Sequence, residues 1–152
     1  MSERIFDQLL EVSLLLQDDM TRSMSALGLT ITKTHLLWQV KQNGPQTQQR
    51  LATELGVSPR HVTGLVDALE ADGFAYRRPH PHDRRAVLVG LSSKGEETMK
   101  QMQEQRRQGA EQLVTDLRAD EVDQLERSLD VVLARLRHLV SVAAGDGPQG
   151  PR

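Results

Sequence analysis

Residues 47–73, TQQRLATELGVSPRHVTGLVDALEADG, leave little freedom in what this chain can fold into. They read as two short helices joined by a tight turn. In the first, Leu51, Ala52 and Leu55 form an apolar stripe, and the small Ala52 allows a close helix crossing. Gly56 stops that helix, because glycine takes the left-handed conformation without a Cβ clash. Val57 tucks back under the turn. Ser58 can cap free N–H groups at the start of the second helix, and Pro59 suits the first helical position. Val62, Leu65, Val66 and Leu69 then recur at helical spacing and face inward, and Gly73 ends the element.

At about 100° per residue, Arg60, Gly64 and Asp67 lie opposite the apolar stripe, flanked by His61, Thr63 and Ala68. The N-terminal half of this face is small, polar and basic. It suits a helix whose start enters a DNA major groove, as in a helix-turn-helix. Taken alone, the same pattern also describes a helical hairpin packed inside a larger core. The residues that follow, FAYRRPHPHDRRAVLVGLSSKG, separate the two readings. Phe74 and Tyr76 alternate with Ala75 and Arg77 as in a strand. The PHPHD segment interrupts it, since proline cannot donate to a ladder. Val87, Val89 and Leu91 alternate with Ala86, Leu88 and Gly90 in a second strand. A hairpin with a basic tip behind a helix-turn-helix is a wing. Arg77, Arg78, Arg84 and Arg85 lie on it, able to reach phosphates and the minor groove.

These residues resemble the multiple-antibiotic-resistance regulator (MarR) family of bacterial winged-helix repressors. The resemblance runs through QQRLATELGVSPRHVTGLVDALEADGFAYR and DRRAVLVGLSSKG, and is most specific from Asp83-Arg84-Arg85 to Leu91-Ser92-Ser93-Lys94-Gly95. The family usually has Leu-Thr where this chain has Leu91-Ser92. Gly64 and Ala68 stand where members often carry a basic residue, which leaves fewer side chains to read bases. The resemblance covers most of the chain. It implies a homodimer on a pseudo-palindromic double-stranded DNA operator, often released by a small-molecule effector. It also implies a ligand site formed by the first helix, the second helix and the helix after the wing. Met20, Met24, His35 and Trp38 are the candidates there, although the same residues serve equally as core, with Met as a gap filler.

The whole chain fits this reading. Its 152 residues make one modest domain, or one domain with an elaborated dimer region. The net charge of −2 is not that of a generally basic nucleic-acid binder, so a DNA site must be a local patch. No cysteine is present, which excludes a disulfide framework, a thiolate zinc site and a thiol switch. No signal peptide or membrane-length apolar run is visible, so no membrane partner and a cytoplasmic location are expected. The titratable residues form no recognisable catalytic constellation, and no phosphate-binding glycine loop is present. His80-Pro81-His82-Asp83 contains metal-ligand chemistry, but on an exposed wing and without a second ligand cluster. No catalytic residue, metal or cofactor is therefore expected.

The expected fold is mainly α with a small β-hairpin wing. Residues 1–28 and 118–142 form dimerisation helices, 29–92 the winged helix-turn-helix, 93–117 a connecting helix and 143–152 a disordered tail. Ile5, Leu9, Val12 and Leu16, widened by Phe6, Leu10, Leu14 and Leu15, give the first helix an arc too broad for one partner. Thr32 is the expected cap of a second helix over 32–42, with Leu36, Leu37 and Val40 buried. The connecting helix is polar nearly all round, as in a strut between packed units. Val122, Leu125, Leu129, Val132, Leu136 and Val140 form the stripe of the last helix. Within the winged domain, DNA contacts are expected from Thr47 and Gln48 at a helix N-terminus and from Ser58, Arg60, His61, Thr63 and Gly64 on the recognition helix. Arg77, Arg84 and Arg85 supply them from the wing, with Asp83 orienting its tip. A winged-helix protein-interaction module that no longer binds DNA is the competing class, and a gel shift separates the two.

Overall fold

The computed structural model describes residues 1–143. In chain order the elements are α1 (Ser2–Ala26), α2 (Ile31–Asn43), β1 (Gln46–Thr47), α3 (Gln48–Leu55), α4 (Pro59–Ala71), β2 (Ala75–Pro79), β3 (Val87–Leu91), α5 (Ser93–Leu113) and α6 (Ala119–Ala143). The expected fold class, a mainly helical winged helix-turn-helix, is the observed one. Contacts divide the chain into two units, Met1–Gln103 and Glu104–Arg152, with α5 running from one into the other.

In the first unit the core gathers where the sequence periodicity pointed. Leu36, Leu37 and Val40 of α2 meet Leu51 and Ala52 of α3, and Val62, Val66 and Leu69 of α4. Phe74, Ala75, Val89 and Met99 complete it from the wing and α5. Three details differ from expectation. The cap of α2 is Thr30 rather than Thr32: its extended backbone lets Oγ1 accept from the Lys33 amide at 3.3 Å, and Ile31 becomes the first helical residue. Phe74 precedes β2, its side chain filling the core while its carbonyl accepts from the Ser92 amide at 3.0 Å. The sheet has three antiparallel strands in the order β1-β3-β2. The added strand pairs Gln46 with Val89 and Thr47 with Leu88. β3 is thus the middle strand, and Leu88, Val89 and Gly90 are all buried while Val87 beside the tip is exposed. Burial there peaks in the middle of the strand and does not follow strict alternation. Pro79 does belong to β2, which is an edge strand where its missing N–H costs no ladder bond.

Most of α1 lacks cover among the described residues. Of its 25 residues only Met24 is buried, and Phe6 is 60% exposed.

In the second unit, α5 ends at Leu113, short of residue 117, and a turn leads to α6. The polar stretch of α5 is laced by Arg107, which pairs with Glu104 and Glu111. Hydrogen bonds from Arg107 and Gln108 hold the Glu104 carboxyl down at about 2. Glu121 starts α6 by accepting from the Arg118 amide at 2.9 Å, the reciprocal half of a capping box. No residue of α6 is buried. No helix among the described residues is long and apolar enough to cross a membrane. The expected tail lies outside the described residues, apart from Ala143, which closes α6.

Candidate nucleic-acid interface

The turn between α3 and α4 sets the geometry of the site. Thr47 caps α3, its Oγ1 accepting from the Arg50 amide at 3.3 Å. At the other end Gly56 takes φ 64° and ψ 31°. The Val57 and Gly56 amides close on the Ala52 and Thr53 carbonyls, the paired bonds of a Schellman stop. Ser58 then caps α4 by accepting from the His61 amide at 3.2 Å, with Pro59 in the first turn. Each step is local, so a short stretch of sequence fixes where α4 begins and which way it faces.

Arg60, His61 and Thr63 are exposed on the first turns of α4. With Ser58, Gly64, Leu65 and Ala68, Arg60 and His61 line an open depression of about 440 Å³. A Cβ at Gly64 would meet nothing within 4 Å. Thr63 Oγ1 donates to the Pro59 carbonyl at 3.0 Å, so its proton is already used. Behind this helix Lys33 pairs with Asp72 at 2.8 Å, and that contact holds the Asp72 carboxyl below the usual carboxylate range. Lys94 donates to the Asp72 carbonyl and sits over the Phe74 ring, 4.2 Å from its centroid. The end of α4 is thereby tied to α2 and α5.

The wing tip is ordered by two side chains. His80 Nδ1 accepts from the amides of His82 and Asp83, at 3.2 and 3.1 Å. Asp83 Oδ1 accepts from the Arg85 amide at 2.9 Å. Asp83 and His80 thus both hold the turn through backbone amides, a task for His80 that the sequence does not show. Arg84 and Arg85 project from this turn, exposed and without an ion pair among the described residues. His80 Nδ1 is already engaged, and among the described residues no cluster of three or more His, Cys, Asp or Glu is arranged for a metal ion.

Three expected site residues are placed differently. Arg77, grouped above with the DNA-facing cations, pairs with Asp67 at 2.7 Å and with Glu70, and donates to the Thr63 carbonyl at 3.3 Å. Glu70 also accepts from the Arg77 amide at 2.7 Å. Two carboxylates neutralise this guanidinium, so it straps β2 to α4 instead of offering a free charge. Counting charges along the sequence shows the arginine but not its partners. Thr47 Oγ1 accepts from the Arg50 amide in its cap, which leaves its hydroxyl proton free to donate, whereas Gln48 Nε2 is buried. The four candidate ligand residues are divided. Met24 is core and Trp38 packs against that core, whereas Met20 is 57% exposed and His35 is also exposed.

Charge is distributed to match. Residues 29–92 hold eight Lys or Arg against five Asp or Glu, a net of +3, so the remainder of this −2 chain carries −5. A capped helix-turn-helix, a hairpin with a cationic tip and a short third strand closing the sheet define a winged helix-turn-helix protein.

Residues 29–87 match the model of the MarR family. The multiple antibiotic resistance protein MarR of Salmonella typhimurium is 33% identical over 111 residues, covering 72% of this chain and 77% of that protein. The HTH-type transcriptional repressor IacR of Pseudomonas putida is 26% identical over 121 residues, covering 80% and 72%. The crystal structure of RV1404 from Mycobacterium tuberculosis superposes with a TM-score of 0.78 at 30% identity, covering 88% of this chain and 93% of that one. The chain belongs to the MarR family, and is a transcriptional regulator rather than an enzyme.

Proposed function

We propose that this regulator is a homodimeric, ligand-responsive repressor that binds a pseudo-palindromic operator in double-stranded DNA. α4 enters the major groove with Arg60, His61 and Thr63 at base edges or neighbouring phosphates. Arg84 and Arg85 work at the minor groove from the wing. The observation that carries this reading is the disposition of cations: Arg60, Arg84 and Arg85 are exposed and unpaired among the described residues, on a lobe of net positive charge. Free cations replace condensed counterions on phosphates, and arginine gains most in a narrow minor groove. The repressor function named for IacR supports the direction of control.

The test is a gel shift with DNA flanking the protein's own gene. Arg84→Ala and Arg85→Ala are each expected to weaken binding by about 1–3 kcal/mol where the side chain reaches a base edge. Stability is expected to change by under about 0.5 kcal/mol, as for most exposed substitutions. Wild-type affinity in both variants removes the wing from the interface. Absence of DNA binding by the parent protein leaves the protein-interaction class.

For the effector, the proposal is a small, largely apolar molecule with an anionic group, bound beside Trp38 and His35 on α2. It shifts the DNA-competent population only by its differential affinity for the two forms. Trp38 is the sole tryptophan, so its fluorescence reports on this region alone. Screening metabolites and phenolic acids against the protein–DNA complex is expected to find emission changes and DNA release over one concentration range. Release that survives Trp38→Phe and His35→Ala puts the effector elsewhere.

A further inference from the structure

The outward face of α4 divides into two chemistries. Arg60, near its start, is a donor-only cation, exposed and free of ion pairs among the described residues. One and two turns further on, about 40° and 80° around the helix from it, stand Gly64 and Ala68. Neither side chain can donate or accept a hydrogen bond. Together with the half-buried Leu65 they form the apolar part of the depression, and the space above Gly64 is empty out to 4 Å from a Cβ. Thr63 beside them spends its hydroxyl proton on the Pro59 carbonyl. Past Arg60 and His61, the one other ionised group on this face is Asp67, whose carboxylate is engaged by Arg77, so little is left there with which to read polar base edges.

In the major groove an arginine fits the paired acceptors O6 and N7 of guanine, and the one apolar mark on any base edge is the 5-methyl of thymine. We infer that the depression on α4 reads a guanine through Arg60 and the 5-methyl groups of adjacent thymines through the open apolar floor of Gly64, Leu65 and Ala68. This rests on the DNA-binding reading above and deepens it. Arg60 and Gly64 are separated by about 6 Å along the helix axis. At about 3.4 Å per base step, the favoured thymines fall about one to three base pairs from the guanine. The duplex major groove is the occupant that fits, because the depression lies on the lobe that concentrates the chain's positive charge.

The full-length protein is used to select duplexes from a random DNA library, and the selected duplex is then resynthesised with deoxyuridine in place of thymidine. The expected half-site has guanine with thymines at that spacing. Loss of each contacted methyl is expected to weaken binding about fourfold, from the transfer free energy of one buried carbon. Arg60→Ala is expected to lower discrimination at the guanine by roughly 5- to 150-fold and leave the thymine preference. Gly64→Gln, which fills the open space on an exposed helix face, is expected to abolish the thymidine–deoxyuridine difference while its circular dichroism remains that of the parent. Tight binding with no loss on deoxyuridine substitution, or selection of cytosine or adenine in place of thymine, overturns the inference and leaves DNA binding intact. Failure to retain any duplex removes the underlying DNA-binding reading as well.

Discussion

Arg77 shows how one side chain can matter to binding without touching the ligand. Its guanidinium bridges Asp67 and Glu70 on α4, and its own amide donates to Glu70, so strand and helix are joined through both main chain and side chain. The planar fork of arginine suits such a double contact, and lysine cannot reproduce it. Because Asp67 is largely exposed, the ion pairs are screened and are worth about 1 kcal/mol to folding. The larger consequence is positional. Without the strap the wing loses its fixed orientation to α4, and two carboxylates are left unpaired beside the exposed face of α4. Arg77→Ala is expected to weaken operator binding tenfold or more, by about 1.4 kcal/mol or above, with Arg77→Lys failing to rescue. The salt dependence separates this from phosphate contact: Arg84→Ala is expected to reduce the salt slope by about one, and Arg77→Ala to leave it unchanged. An equal drop for both variants, measured by binding titration at several salt concentrations, makes Arg77 a phosphate ligand after all.

At the scale of elements, legibility follows the range of the forces involved. α3, the turn and α4 were readable because their determinants lie within a few residues: Thr47, Gly56, Ser58 and Pro59 cap or stop helices by local bonds, and Val62, Val66 and Leu69 follow the helical period. β1 was not readable. Two residues carry no period, and Gln46 and Thr47 become a strand only because β3 offers Val89 and Leu88 as partners. Gly90 belongs between these cases. Its presence in a strand was visible, but its reason was not: a Cβ there would lie 2.4 Å from the Tyr76 ring, which crosses directly over it. The cap of α2 shows a smaller shift of the same kind. Thr30 and Thr32 are equivalent by composition, and only the backbone leaving Leu29 selects the first. For the proposed DNA-facing surface, the exposure of Arg60, Arg84 and Arg85 is legible in the sequence because it follows from their place on α4 and the wing tip. Arg77 could not be assigned its strap, since its partners lie on another element. Met24 and Trp38 could not be sorted into pocket or core because both environments select the same side chains.

The largest scale is set by what the single chain leaves uncovered. α6 spans about 37 Å at 1.5 Å per residue and buries none of its 25 residues. Its apolar positions Val122, Leu125, Leu129, Val132 and Leu136 alternate steps of three and four, the spacing of a helix–helix seam, and Val140 continues the stripe one turn on. Ile5, Phe6, Leu10, Leu14 and Leu15 of α1 are likewise exposed. Contiguous apolar surface on this scale is seldom left to water and marks an interface. The homodimer proposed above would provide the cover, since one surface could then meet its own copy, and it would present two equivalent α4 helices to two half-sites. Their expected separation is about 34–36 Å, one turn of the duplex. Deleting residues 1–15 or 125–152 removes a strip of that interface but none of the helix-turn-helix core. Each truncated chain is expected to aggregate or unfold, read by size-exclusion chromatography and circular dichroism, while the full chain elutes as a dimer. A truncated chain that remained a well-folded monomer and bound DNA with full affinity would show that the uncovered faces of α1 and α6 serve something other than self-association.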